Sequence, residues 1–181
     1  MKYILVCEVR KREVRQFHKD LINKVHSKFG VSYSYYNDYP SHFTLKYHFK
    51  KNSLKEVEKL LKNLSKELNK GDLIIGGVYN FRKDVLFLKV KPLKNSKDIY
   101  ARLILGLKKI RKLPWDKKYD ADLINNFHLT IARKDLTPRY DEVKKFLNSY
   151  NSKKFRVKFD NFSILEKKKD KWKLYKRFKL K

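Results

Sequence analysis

Two short motifs of the same form contain the residues best suited to chemistry. His42 and Thr44 are separated by one apolar residue and followed by another, and His128 and Thr130 repeat this pattern 86 residues later. Side chains two positions apart in a β-strand point to the same face of the sheet. Each motif therefore predicts a strand that presents an imidazole and a hydroxyl on one face, as in the floor of an active site, and apolar side chains on the other.

Two histidines that face one cleft could divide acid–base catalysis, since the pKa of imidazole lies near neutrality. The neutral ring would take a proton from the nucleophile, and the protonated ring would deliver one to the leaving oxygen. A phosphodiester held between them fits this arrangement, with Thr44 and Thr130 donating hydrogen bonds to its non-bridging oxygens. The scheme needs no metal, and no third ligand recurs at a spacing that favours zinc. The sequence leaves open which histidine is the acid.

The composition favours a globular protein with a polyanionic partner. The 181 residues include twelve Tyr and twelve Phe, enough aromatic volume for a core, and the net charge is +28. Such a charge is typical of proteins that bind nucleic acid. The alternative is a Lys-rich composition without function, because the Lys residues are spread along the whole chain.

Cysteine usage and hydropathy indicate an intracellular protein. The single Cys7 excludes an intramolecular disulfide and a Cys-rich zinc site. No apolar run reaches the length of a membrane span, and the segment from Met1 to Arg10 reads as a strand rather than a signal peptide. We therefore expect a cytoplasmic location.

Hydrophobic periodicity places the motifs within alternating strands and helices. The predicted strands are 3–9, 42–49, 73–81, 85–90, 127–133, 155–165 and 172–180, with the last two forming a hairpin, and the predicted helices are 12–29, 54–70, 97–113 and 138–150. Helix starts are predicted from a capping box at Ser53 and N-caps at Ser96 and Thr137. Gly76 and Gly77 indicate a bulge, and residues 31–39 read as an irregular aromatic segment.

The order of these elements repeats. Strand, helix, His-x-Thr strand, capped helix and strand occur in each half with similar spacing, which predicts one domain made of two repeat lobes, about 1–83 and 84–181, with strand exchange between lobes allowed. A pseudo-twofold axis would place the two motifs opposite each other across a central groove.

The motifs and their neighbours resemble the 2H phosphoesterase superfamily, named for two His-x-Thr/Ser motifs. The segments His42 to Tyr47 and His128 to Arg133, together with the closing hairpin, are most similar to its LigT-like branch, the RNA 2′,3′-cyclic phosphodiesterases or 2′-5′ RNA ligases. The resemblance implies an α+β, bilobal, duplicated fold in which two antiparallel-rich sheets face the groove and helices lie outside. It also implies that His42 and His128 are catalytic and that Thr44 and Thr130 bind phosphate.

Four further residues are candidates for substrate binding. The resemblance suggests Arg133, although simple alternation places it opposite His128, so that only a bulge or strand end would bring it to the groove. Lys46 could hold the RNA strand by its charge. Tyr36 and Tyr39 precede the first motif and could stack on a base or simply pack.

Other polar residues read as structural. Asp116, Asp120 and Asp122 match no calcium loop and are predicted to be solvated. His18 and His26 read as ordinary residues at the surface or boundary of the first helix, and His48 as structural or exposed.

The motifs predict a metal-independent phosphodiesterase without a cofactor. The resemblance implies that it hydrolyses a terminal RNA 2′,3′-cyclic phosphate to a 2′-phosphate, and reversal with a 5′-hydroxyl would give 2′-5′ ligation. The expected partners are RNA ends, with tRNA fragments as one source, and the expected state is a monomer with no membrane association. The alternatives are a 2′-5′ oligoadenylate phosphodiesterase, a 3′-5′ RNA exonuclease, and a non-catalytic basic RNA-binding protein.

Overall fold

The computed structural model describes residues 1–37, 39–117, 119–169 and 171–181, and it contains two four-stranded antiparallel sheets with helices packed against them. The strands are β1 (Lys2–Glu8), β2 (His42–Lys50), β3 (Gly71–Phe81), β4 (Val85–Pro92), β5 (His128–Arg133), β6 (Lys154–Phe159), β7 (Asn161–Lys168) and β8 (Lys171–Lys179). The helices are α1 (Arg12–Phe29), α2 (Tyr33–Asn37), α3 (Lys55–Glu67), α4 (Lys94–Lys108) and α5 (Tyr140–Asn148), and a 3₁₀ turn at Thr137–Arg139 precedes α5.

The two sheets have equivalent strand orders, and the predicted α+β fold is confirmed. The first sheet runs β2-β1-β7-β8 and the second runs β5-β4-β3-β6. Each motif strand is therefore the edge strand of its sheet and pairs with the strand that precedes it in the repeat. The sheets do not follow the predicted lobe boundary between residues 83 and 84. Strand β3 of the first half pairs with β4 in the second sheet, and β7 of the second half pairs with β1 in the first sheet.

Most predicted elements are present, but several helix starts are wrong. Helix α1 has the predicted bounds and ends at Gly30, whose φ of 71° favours glycine. Helix α3 begins at Lys55, so Leu54 rather than Ser53 is at the N-cap position. Ser96 lies inside α4, where its buried hydroxyl donates to the carbonyl of Asp72 in β3, so a tertiary contact takes the group that would have capped the helix.

Three segments differ from the sequence-based prediction in other ways. Residues 33–37 of the aromatic segment before the first motif form helix α2, and Thr137 starts the 3₁₀ turn instead of capping a helix. The predicted strand 155–165 is two strands, because the chain leaves the second sheet after Phe159 and enters the first at Asn161. The connection within the predicted closing hairpin, between residues 165 and 172, lies partly outside the described residues.

The apolar faces of the two motif strands meet in one core. Phe43 follows His42 directly and Phe127 precedes His128 directly, and their fully buried rings pack with centroids 4.8 Å apart. Phe159 packs on Phe43 at 5.6 Å. Burial of each such side chain contributes about 1.5–3 kcal/mol, so the core holds the edges of the two sheets together. No helix in the part of the chain that the structure describes is long and apolar enough to cross a membrane.

Candidate active site

A groove of about 1320 Å³ lies between the two sheets and is bordered by helix α1. Its lining includes His42 and Thr44 of β2 and His128 and Thr130 of β5. The four residues that the motifs single out therefore share one cavity. This is the arrangement that the pseudo-twofold repeat predicts.

Each of the two histidines is held by a hydrogen bond from Nδ1 to the backbone carbonyl oxygen of the residue two positions before it. His42 Nδ1 lies 2.6 Å from the carbonyl oxygen of Pro40, and His128 Nδ1 lies 2.6 Å from that of Asn126. A carbonyl oxygen can only accept, so each Nδ1 carries the hydrogen. The tautomer is thereby fixed, and Nε2 of each ring is the nitrogen that can accept or donate a proton.

The surroundings of the two imidazoles differ in charge. Burial lowers the pKa of both histidines below 6.5, and the carbonyl bonds oppose this. At His42 the carboxylate of Glu8 also raises the pKa, whereas Arg133 lowers it. At His128 the pKa is lowered further by His42 and by Arg133. Arg133 acts on both rings, so Glu8 is the group that favours the proton on His42 relative to His128.

A bulge at the same place in each motif strand redirects the residues that follow the threonine. In the β4–β5 pairing, Phe87 opposes Thr130 and Leu86 opposes Ala132, so Ile131 is an extra residue. Such an insertion reverses the alternation of faces. Arg133 consequently lies in the groove lining, on the side of His128 rather than opposite to it.

The equivalent bulge in β2 corrects the prediction for Lys46. Val6 opposes Thr44 and Leu5 opposes Lys46, which makes Leu45 the extra residue. Tyr47, five residues after His42 as Arg133 is after His128, lines the groove. Lys46 points away from it and its side chain is 1% exposed, so it cannot hold an RNA strand there.

The partner of Lys46 corrects a second prediction, since Asp120 is not solvated. Its Oδ2 lies 2.5 Å from Lys46 Nζ, and its side chain is 2% exposed. The same carboxylate accepts hydrogen bonds from the backbone N–H groups of Tyr47 and Asp116. Asp120 thereby ties the loop before the second motif to strand β2. It also holds Tyr119 against Tyr47, and these two groove-lining rings stack at 4.4 Å.

Tyr36 and Tyr39 both line the groove, but in different ways. Tyr36 is 66% exposed and available to a ligand. Tyr39 is half-buried, and its ring lies edge-on to His42 with centroids 6.4 Å apart. Tyr36 is therefore accessible to a base, whereas Tyr39 packs within the protein.

Sequence reasoning missed His18, which links the two motifs. Its Nε2 donates to the carbonyl oxygen of Thr130 and its Nδ1 accepts from the hydroxyl of Ser41, each at 2.9 Å. Complete burial lowers the pKa of His18 to about 4, so the ring is neutral. A signal existed, because Val14, His18, Leu21 and Val25 form one stripe at helical spacing and all four are buried.

A second missed feature is the pair of Glu8 and Arg177. Arg177 donates from Nε and from Nη2 to the two carboxylate oxygens of Glu8, at 2.9 and 2.6 Å. Burial alone would raise the pKa of Glu8, but the bonds from Arg177 and Ser163 lower it. Glu8 therefore stays ionised directly opposite His42 in the β1–β2 register. No sequence signal pairs a residue of β1 with one of the closing hairpin.

The groove as a whole is strongly basic. Among the described residues that line it, Glu8 is the carboxylate and the cations are Arg10, Arg12, Arg15, Lys19, Arg133 and Arg177. Such a surface concentrates an anionic substrate. In the part of the chain that the structure describes, no group of three or more His, Cys, Asp or Glu side chains could hold a metal ion.

Solved structures with the same fold are found over the full length of the chain. The protein TT0787 of Thermus thermophilus superposes with a TM-score of 0.65 at 16% identity, covering 99% of this chain and 98% of that one. E. coli LigT complexed with NADP+ gives 0.53 at 11% identity, with coverage of 99% and 97%, and Kluyveromyces marxianus Usb1 gives 0.51 at 15%, with coverage of 99% and 98%. At these identities the likeness establishes the fold alone.

A search of curated protein sequences finds no significant match. The family model described as the 2′-5′ RNA ligase superfamily matches residues 11–171, which include both His-x-Thr motifs and the loop between α4 and β5. This span is most of the chain, and the match agrees with the duplicated fold and the shared groove. The chain belongs to the 2′-5′ RNA ligase superfamily of 2H phosphoesterases.

Proposed function

We propose that the protein is a phosphodiesterase that opens terminal RNA 2′,3′-cyclic phosphates with two histidines. The observation that carries the proposal is the pair of imidazoles, His42 and His128, each fixed through Nδ1 and both lining one basic groove. A cyclic phosphate is an anion with an attacking and a leaving position on opposite sides of phosphorus. Two Nε2 atoms in one groove match those two positions.

Hydrolysis in this site needs two proton transfers. The neutral histidine takes a proton from water as the water oxygen bonds to phosphorus, the P–O3′ bond breaks, and the protonated histidine gives its proton to O3′. The product is a 2′-phosphate, and exchange with solvent resets both rings. Thr44 and Thr130 can donate to the non-bridging oxygens, and the Arg133 guanidinium offsets the charge that develops on them.

The electrostatics support His42 as the acid and His128 as the base. Glu8 favours the protonated form of His42, and a protonated His42 disfavours that of His128, whereas Arg133 disfavours the protonated form of both rings. A diester with a p-nitrophenol leaving group tests this assignment, because that group departs without protonation. On such a substrate His42→Ala should lose far less activity than His128→Ala, and the opposite order would reverse the roles.

Ligation would use the same bond changes with a 5′-hydroxyl in place of water. The base removes the hydroxyl proton, the 5′-oxygen bonds to phosphorus, and the P–O3′ bond breaks to leave a 2′-5′ linkage. The proposal retains the expectation of a cytoplasmic monomer that acts on RNA ends without a cofactor.

The experiment is turnover of an oligonucleotide with a 2′,3′-cyclic phosphate end, followed in EDTA. Loss of either proton-transfer group should lower kcat by about 10²–10⁴-fold, so His42→Ala and His128→Ala should both be nearly inactive. His48→Ala is the matched control, since His48 lies on the same strand as His42 but outside the groove lining. Full activity in either groove variant would refute the two-histidine mechanism.

Turnover assays with other RNA substrates separate the alternatives. A 2′-5′ oligoadenylate phosphodiesterase would prefer 2′-5′-linked oligoadenylate, and a 3′-5′ RNA exonuclease would shorten linear RNA. A binding protein without catalysis would turn over none of these substrates while binding RNA with a steep salt dependence.

A further inference from the structure

The groove extends beyond the histidines along one face of helix α1. Arg12, Arg15, Lys19 and Asn23 line it and follow one another at spacings of three and four, so they share a helix face. The eleven residue steps from Arg12 to Asn23 span about 16 Å of helix. This length exceeds what a single phosphate and its two proton-transfer groups require.

The catalytic pair lies beside the middle of this helix. His18 bonds to Ser41, which precedes His42, and to the backbone of Thr130. The groove therefore has two arms. The basic arm contains Arg12 and Arg15 on the N-terminal side of His18, and the aromatic arm contains Tyr35 and Tyr36 beyond its C-terminal side.

The basic arm contains two arginine side chains without a carboxylate partner among the described residues. Arg12 and Arg15 are exposed, and neither forms an ion pair with a carboxylate among the described residues. Neighbouring cations behave differently, since Arg10 lies 3.6 Å from Asp160 and Lys158 lies 2.8 Å from Asp72. Two unpaired guanidinium groups on one helix face, continuous with a basic groove, are complementary to a phosphate backbone.

The rings of the aromatic arm are held by contacts within the protein. The ring of Tyr35 stacks on His26 at 4.0 Å with an interplanar angle of 17°, and Tyr36 packs edge-on to Tyr35 at 5.2 Å. Tyr35 and Tyr36 nevertheless remain 41% and 66% exposed. Ring faces that are both fixed and exposed suit the stacking of an unpaired base.

The arm is anchored to the second motif strand. Asp135, two residues after Arg133, accepts hydrogen bonds from the backbone N–H groups of Ser32 and Tyr33 at 2.7 and 3.0 Å, and from the hydroxyl of Ser32. These bonds fix the start of α2 to the end of β5. The position of the tyrosines is therefore set relative to His128.

We propose that the two arms bind a single-stranded RNA around the reacting phosphate, with its 5′ phosphates on Arg12 and Arg15 and its terminal base on Tyr35 and Tyr36. This inference rests on the proposed function and names its substrate class. The substrate is the end of an oligonucleotide, since a cyclic mononucleotide would occupy the aromatic arm and leave the basic arm empty. A duplex is excluded because its terminal base is stacked and paired.

The test compares kcat/KM for an oligonucleotide with a cyclic phosphate end and for the matching cyclic mononucleotide. The wild type should prefer the oligonucleotide, and in Arg12→Glu/Arg15→Glu the ratio of the two values should fall at least about tenfold. Lys62→Glu/Lys66→Glu on the exposed face of α3 makes the same change in net charge away from the groove and should leave both values unchanged. An unchanged ratio in the α1 variant would overturn the proposal.

Binding of a linear oligonucleotide tests the arms without turnover. Each phosphate contact on a single strand contributes a slope of about −0.7 to log K against log salt, so Arg12→Ala/Arg15→Ala should make the slope less negative by about 1.4. Tyr36→Ala should weaken binding by about 5- to 150-fold, as expected for one stacked base, and Tyr36→Phe should not. Equal competition by polyglutamate would show a general polyanion surface and contradict the proposal.

The outcomes keep this inference separate from the proposed function. If oligonucleotide and mononucleotide are hydrolysed equally well, the two histidines still act and the arms are wrong. If neither is hydrolysed while the salt slope and the Tyr36 effect appear, the arms are supported and the proposed reaction fails.

Discussion

Replacing Asp120 with alanine should lower the free energy of unfolding by about 3 kcal/mol. Removing one partner of a buried ion pair costs about 3–5 kcal/mol, because the other charge stays buried without compensation. Here Lys46 would be stranded at 1% exposure, and the N–H groups of Tyr47 and Asp116 would lose their acceptors.

The lower end of that range applies because Lys46 keeps other contacts. Its Nζ also lies 3.3 Å from the carbonyl oxygen of Tyr47 and 4.9 Å from the centre of the Trp115 ring. For a chain of this size each kcal/mol corresponds to roughly 2–4 °C in Tm. The variant should therefore melt about 6–12 °C below the wild type.

Urea unfolding followed by circular dichroism measures this difference. The matched control is Asp141→Ala, which breaks an exposed ion pair with Lys83 whose side chains are 80% and 63% exposed. Such a pair contributes about 0–1 kcal/mol. An Asp120→Ala effect no larger than that of the control would refute the assignment of a structural, buried ion pair.

The double variant Lys46→Met/Asp120→Ala distinguishes the uncompensated charge from the lost hydrogen bonds. It loses the same acceptor as Asp120→Ala but removes the buried cation, so it should be more stable than Asp120→Ala. If it is no more stable, the hydrogen bonds to the loop, rather than the charge, dominate the cost. Because Asp120 also holds Tyr119 against Tyr47 in the groove, Asp120→Ala should raise KM as well.

Three further predictions concern protons and charge in the groove. His18 has a pKa of about 4 in the folded chain against about 6.5 when unfolded, so the unfolded state binds more protons between these values. Stability should fall by up to about 3 kcal/mol as the pH drops from 6.5 to 4, and His18→Gln should lose that part of the slope in urea titrations at several pH values. The limbs of log kcat/KM against pH that report His42 and His128 should lie below pH 6.5, because burial lowers both pKa values, and limbs above pH 7 would contradict the buried geometry. Arg133→Met should lower kcat/KM for a cyclic phosphate by tenfold or more without changing Tm by more than a few degrees, as measured by turnover and thermal melting.

The local parts of this fold could be predicted because they depend on neighbours in sequence. Helix α1 has the predicted bounds, since its apolar stripe and Gly30 define both its face and its end. The histidine and threonine of each motif share a face for the same reason, because they are two residues apart in a strand. The duplicated order of elements supplied the two-sheet fold.

Long-range pairing explains what could not be predicted. The positions of Lys46 and Arg133 depend on bulges that exist only because β2 and β5 pair with particular strands. Simple alternation therefore placed both residues on the wrong face. Asp120 was read as solvated because its buried partner lies 74 residues away in the chain.

The two bulges also explain how a symmetric scaffold can serve an asymmetric reaction. Each bulge follows the threonine of its motif, so in both strands the fifth residue after the histidine reaches the groove. That residue is Tyr47 on one side and Arg133 on the other, and Glu8 adds a negative charge opposite His42 alone. A cyclic phosphate has inequivalent attacking and leaving sides, and one neutral and one protonated imidazole are needed at the same pH. The carboxylate of Glu8, which raises the pKa of His42, therefore separates the proton affinities of two histidines that the backbone holds in the same way.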